Sequence, residues 1–155
     1  MKKVSTSLAL VLIGLMTIGV TNTWAQKKMK KQPVLWTAED IKWEPMKGAA
    51  PGVMAANLWG NMTKGAYGGL VKFPAGFKVP LHNHTNDIKI VVIKGAYIYT
   101  PEGGKEKRFG PGSYVSYPGG DRHETRGAED SETIFLIEQP GKFDLNPIGE
   151  GMEKK

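Results

Sequence analysis

The chain has no cysteine and only three histidines among 155 residues. Without thiols there is no disulfide framework, no thiolate-held zinc or iron–sulfur cluster and no cysteine nucleophile. Any metal must be held by nitrogen and oxygen. Helical periodicity is weak beyond the first 25 residues, and neither an internal repeat nor a low-complexity block is present. Charged residues make up 23% and apolar residues 40%, which excludes wholesale disorder. The length suits one domain with a core that needs no covalent staples.

A folded patch of one charge sign is also lacking. The formal net charge is +6, but its sources are local. Lys2 and Lys3 precede an apolar run, and residues 27–31 (KKMKK) hold four more positive charges. Residues 32–155 are balanced, with 15 basic against 15 acidic side chains. A nucleic-acid-binding domain carries its charge on a folded face, so nucleic acid is not an expected partner.

The run at residues 8–20 (LALVLIGLMTIGV) is uncharged, and Thr23-Trp24-Ala25 places small residues at a cleavage site. This is the layout of a secretory signal peptide cut near Ala25. The run is shorter than the ~20 residues of a membrane span. No cysteine follows it, so a lipid anchor is excluded. The expectation is a periplasmic or secreted protein without stable membrane insertion. Residues 1–25 are then the signal peptide and 26–35 a flexible basic leader. A single domain follows at 36–146, and 147–155 form a loose tail.

What is abundant is turn residue: 20 Gly and 10 Pro. Short apolar runs alternate with them. Strands are predicted at 40–43, 52–58, 67–73, 88–99 with a break at Gly95, 114–117 and 133–138. Pro101-Glu102-Gly103-Gly104 marks a hairpin tip. Several strands at short spacing predict an all-β sandwich or barrel.

His82 and His84 stand two residues apart, so on a strand both point to one face. Ile88, Ile90 and Val92 share that parity if the strand runs through without a bulge. Two imidazoles facing an apolar interior need partners, and a divalent metal supplies one. His123 follows the turn Pro118-Gly119-Gly120 about 40 residues later, where a neighbouring strand can bring it beside the pair. A lone H-x-H is a weak signal, and the surrounding spacing decides its weight.

That spacing resembles the cupin superfamily. Its first motif, G-x5-H-x-H-x(3,4)-E-x6-G, is matched by Gly76, His82, His84 and Gly95, with Ile88 at the Glu position. Its second, G-x5-P-x-G-x2-H-x3-N, is matched by Gly112, Pro118, Gly120 and His123, with Gly127 at the Asn position. The stretches LWGN and GPGSYVSYPGG look like those of small single-domain bacterial cupins related to the cupin domain of the anti-sigma factor ChrR.

The resemblance implies a small antiparallel β-barrel or jelly roll. It also implies that His82, His84 and His123 ligate one divalent metal: Fe(II), Zn, Mn or Ni. Ile88 cannot ligate, so either Asp87 swings in as a fourth ligand or water fills the remaining positions. In the superfamily, three-His iron sites resemble those of thiol and diketone dioxygenases. Three neutral imidazoles leave the full metal charge, which favours anionic ligands. The expected function is therefore an exported metal-binding cupin, a metal-dependent oxygenase of a small anionic molecule. The alternative is a non-catalytic metal or small-ligand binding or sensor cupin. Tyr97, Tyr99, Tyr117 and Glu124 are candidates to surround the metal ligands, and a homodimer is expected by resemblance.

Overall fold

The computed structural model describes residues 32–149. The expected signal peptide at residues 1–25, the KKMKK run and the end of the expected tail lie outside the described residues. From residue 34 onward the regular structure of the described chain consists of strands, apart from one 3-10 turn at Ala38–Asp40. In order these are β1 (Glu44–Pro45), β2 (Met54–Gly60), β3 (Tyr67–Phe73), β4 (Lys78–Asn83), β5 (Ile88–Lys94), β6 (Tyr97–Pro101), β7 (Lys107–Phe109), β8 (Tyr114–Tyr117), β9 (His123–Arg126), β10 (Thr133–Gln139) and β11 (Asn146–Pro147). They form two antiparallel sheets, one ordered β1-β2-β3-β10-β5-β8 and the other β11-β4-β9-β6-β7. This is the all-β barrel expected from the turn density and short apolar runs.

The core sits between the sheets and follows the period-2 rule of strands. One inward row crosses β3, β10 and β5 as Val71, Phe135 and Val92. The next adds Ile137, Ile90 and Val115. All six are buried. β10 is paired on both sides; Phe135 and Ile137 of TIFLIE face the core, and Ile134 and Leu136 on its other face are half-buried.

Residues 40–43 do not form the predicted strand. Ala38–Asp40 is a short 3-10 turn, and only Glu44–Pro45 pair as β1. The Asp40 carboxylate accepts from the Thr37 amide (3.0 Å) and hydroxyl (2.9 Å), a local bond that competes with extended pairing.

The chain changes sheets twice near the site. It leaves β4 after Asn83 and enters the other sheet at Ile88, so no single strand runs from His82 to Val92. It returns between β5 and β6 at Gly95. Gly95 has φ +71°, and a Cβ there would lie 2.4 Å from the Glu132 carbonyl oxygen, so only glycine fits. Buried Thr133 secures this crossing. Its hydroxyl donates to Ala96 O (2.9 Å) and accepts from Ala128 N–H (3.0 Å).

Candidate metal centre

His82 reaches the interior through an irregularity. On β4 and β9, Val79 pairs with Thr125 and His82 with His123, so three steps along β4 match two along β9. The extra residue is a β-bulge, and it turns His82 onto the same inner face as Val79. Pro80 occupies this stretch, where a missing N–H costs least. His84 lies just past the strand end, held by Gly120 N–H donating to its carbonyl at 2.8 Å. Gly120 has φ +83° and closes the turn that leads into His123 on β9.

The three histidines the sequence singled out come together. Their side chains are nearly sealed from solvent, at 3%, 6% and 0% exposure for His82, His84 and His123. One ring nitrogen from each lies within 4.8 Å of the others. Every Nδ1 faces an acceptor: Pro80 O at 2.7 Å for His82, Asp144 O for His84, and Asp121 O at 3.1 Å for His123. Donation from Nδ1 fixes the tautomer and leaves each Nε2 with a lone pair. Nε2 of His123 is buried and has no hydrogen-bond partner. A buried polar atom left unpaired is costly, and a cation shared among three such nitrogens removes that cost. The donor set fits a divalent metal.

Burial lowers the pKa of all three rings. For His82 burial, reinforced by the nearby His123, brings it to about 4. The rings are therefore neutral at pH 7, the state a ligand requires.

Asp121 supports His123 in a way the sequence did not reveal. Its carboxylate Oδ2 lies 3.1 Å from His123 Nδ1 and accepts the Tyr99 hydroxyl. The Tyr99 ring stacks on His123 with centroids 5.0 Å apart. Tyr117 packs against His123 at 4.5 Å, and its hydroxyl meets that of Tyr97 at 3.0 Å. Burial raises the pKa of both Tyr97 and Tyr117, keeping them protonated. Of the four candidate surrounding residues, the tyrosines gather here, whereas Glu124 is exposed on β9. The only sequence signal for Asp121 is its place two residues before His123.

Asp87 does not join the group. It is exposed, and its Oδ1 accepts the Gly119 N–H at 2.9 Å, so its carboxylate serves the turn before His123. Ile88, at the motif's Glu position, is buried in the core. Among the described residues no carboxylate completes the cluster.

A cavity of about 280 Å³ adjoins the centre. His82, His84, Tyr97, Tyr117, Thr125 and, at the rim, Lys78 supply its polar side chains, and most of the remaining wall is hydrocarbon. His82 and His84 form part of the wall, so a cation held with His123 lies at its edge.

Comparison with known proteins agrees with this architecture. The family model described as "ChrR Cupin-like domain" matches residues 31–142. The dimethylsulfoniopropionate lyase DddQ of Ruegeria pomeroyi is 30% identical over 79 residues, 51% of this chain and 39% of that enzyme. The chain thus spans well under half of that relative's length. The polyketide cyclase RemF of Streptomyces resistomycificus superposes with TM-score 0.62 at 17% identity, covering 79% of this chain and 87% of RemF, a likeness of fold. A complex of Rhodobacter sphaeroides SigE with the anti-sigma ChrR matches with TM-score 0.51 at 25% identity, covering 66% of this chain and 50% of that one. With paired sheets, three inward histidines and a family match over most of its length, the chain belongs to the ChrR cupin-like domain family.

Proposed function

We propose that the protein is a metal-dependent cupin enzyme. In this reading His82, His84 and His123 hold one divalent cation, and a small anionic molecule binds beside it. The observation that carries the reading is the buried, unpartnered Nε2 of His123 in a group whose three Nδ1 atoms are all committed to carbonyls. When bound, the cation supplies an electrophilic centre with open positions, and as Fe(II) it also supports oxygen chemistry.

The chain's own residues do the rest. The histidines orient the ion, and the buried wall excludes water. The protonated Tyr117 stands at the end of a hydroxyl chain through Tyr97 to Thr125 and places its ring and hydroxyl on the wall beside the histidines. No carboxylate lines the cavity among the described residues. A reaction that starts from an already ionised, metal-bound substrate therefore suits the site better than one needing a carboxylate base. That favours oxygenase chemistry over proton-abstracting lyase or isomerase chemistry.

The test is anaerobic loading with Fe(II), then oxygen uptake with diketones, thiols and flavonols. Metal content is measured alongside in the wild type and in His82→Ala, His84→Ala and His123→Ala. The expected result is one metal per chain, lost in each variant, with uptake for at least one anionic class. Stoichiometric metal in all three variants would overturn the site. Tight metal binding with no uptake would favour the non-catalytic binding reading, which the family's ChrR member supports. Export to the periplasm or beyond and a homodimer belong to the same proposal, and are tested by cell fractionation and sedimentation.

A further inference from the structure

We infer that the ligand taken at this centre has one anionic, metal-binding end and an otherwise uncharged, apolar body, admitted beneath the loop joining β1 and β2. The inference rests on the three-histidine centre proposed above and names the chemistry that fills the space beside it.

The wall of the cavity sets the body. Away from the histidines it is built from such side chains as Val53, Val71, Phe73, Phe77, Ile90 and Phe135. Tyr97 and Thr125 are already spent in the hydroxyl chain that ends on Tyr117, at 3.0 and 3.3 Å. No Asp, Glu or Arg lines the space among the described residues, and the one charged lining residue outside the centre, Lys78, is solvent-exposed. Away from Lys78 at the rim, a second charge on the ligand would lose its water and find no partner. An apolar body instead gains from leaving water and from contact with the phenylalanine rings.

The volume sets the size. About 280 Å³ lies at the small end of the ~300–1,000 Å³ typical of small-molecule sites, enough for about one ring with its substituents.

The exposed residues of the lining mark the entrance. They are Gly48 and Ala50 in the loop at residues 46–53, Lys78 and Pro80 on β4, and Pro147 on β11. The loop's contribution is small-sided, Gly48-Ala49-Ala50, so backbone and methyl groups rather than long side chains border the opening. Gly48 has φ +82°, and a Cβ there would sit 3.9 Å from the Phe143 ring. The loop thus passes close over the strap that holds His84 through Asp144.

The experiment uses the full folded protein loaded with Co(II). It is titrated with acetohydroxamate, benzohydroxamate and 4-carboxybenzohydroxamate, followed by the visible Co(II) spectrum and by calorimetry. All three present the same chelating group, so the ratio of affinities reports the body alone. Each buried methylene contributes a factor of roughly four. Benzohydroxamate is expected to bind at least ~10-fold tighter than acetohydroxamate, and the added carboxylate is expected to remove that gain. Ala49→Phe, which fills the space under the loop, is expected to abolish the preference while leaving acetohydroxamate binding intact. The exposed Ala50→Phe gives the same reading from the rim should the first variant not fold. A flat series on bound Co(II), or full retention of the preference by the carboxylated probe, overturns the ligand class alone. Absence of stoichiometric Co(II) overturns the metal centre, and the ligand class with it.

Discussion

His123 Nδ1 is shared between the Asp121 carbonyl and carboxylate, and the Tyr99 hydroxyl holds that carboxylate in turn. A carboxylate behind a ligating imidazole orients the ring and raises its basicity. Asp121→Asn is therefore expected to weaken metal binding by about 10- to 100-fold in a chelator competition. Asp87→Asn, which keeps an oxygen to accept the Gly119 N–H, should leave it unchanged; a large loss there would restore Asp87 as a ligand. The rings also carry a pH signature. Protonating the unfolded chain near pH 6.5 and the buried His82 only near 4 favours the unfolded state in acid. Stability from this group is complete above pH 6.5 and is lost as pH falls from 6.5 towards 4. For His82 alone the loss is about 3 kcal/mol by pH 4. Urea unfolding of metal-free protein at pH 7.5 and 4.5 measures it, and His82→Asn should reduce the difference, His84 and His123 accounting for the rest. An undiminished pH slope in that variant would assign the acid sensitivity elsewhere.

At the level of elements, the strands with apolar alternation were legible and the polar ones were not. Residues 67–73, 114–117 and 133–138 announce themselves through β-branched and aromatic runs between turns. β7, β9 and β11 are two to four residues long and largely polar. Their pairing partners, not their own composition, make them strands. β4 hides behind Pro80 and its bulge. The sheet change after Asn83 removes the single strand on which the parity argument stood, since His82 and Ile88 face one interior from different sheets. Thr133 shows the cost of joining the sheets. Its hydroxyl serves Ala96 and Ala128, whose backbone groups would otherwise be buried unpaired. Thr133→Val is expected to destabilise the fold by about 1–3 kcal/mol, measured by chemical denaturation. A loss below ~0.5 kcal/mol would mean that water replaces the hydroxyl.

At the scale of the whole molecule, the candidate centre draws its histidines from strands about 40 residues apart in the chain. β4 and the turn after it supply two, of which His84 is backed by the strap at residues 140–148 through the Asp144 carbonyl, and β9 supplies the third. Metal that binds only this assembled state stabilises it by mass action. At free metal 100-fold above Kd the gain is ~2.7 kcal/mol, roughly 5–10 °C in Tm for a domain of this size. Thermal unfolding of metal-loaded protein with and without chelator should show that shift. It should vanish in His123→Ala, and an equal shift in that variant would place the metal elsewhere.

The sequence by itself determined the class of fold and singled out the three histidines that gather at the candidate centre. Turn residues at short spacing leave room only for strands, and three histidines at motif distances need no coordinates to be noticed. The tertiary structure decided which nitrogen each ring offers, because only packing shows that every Nδ1 meets a carbonyl. It also decided that Asp87 serves a turn, that Asp121 and Tyr99 brace His123, and that hydrocarbon surrounds the space beside the centre. These depend on residues far apart in the chain meeting across two sheets. No local pattern encodes such meetings, since strand register and a single bulge set them.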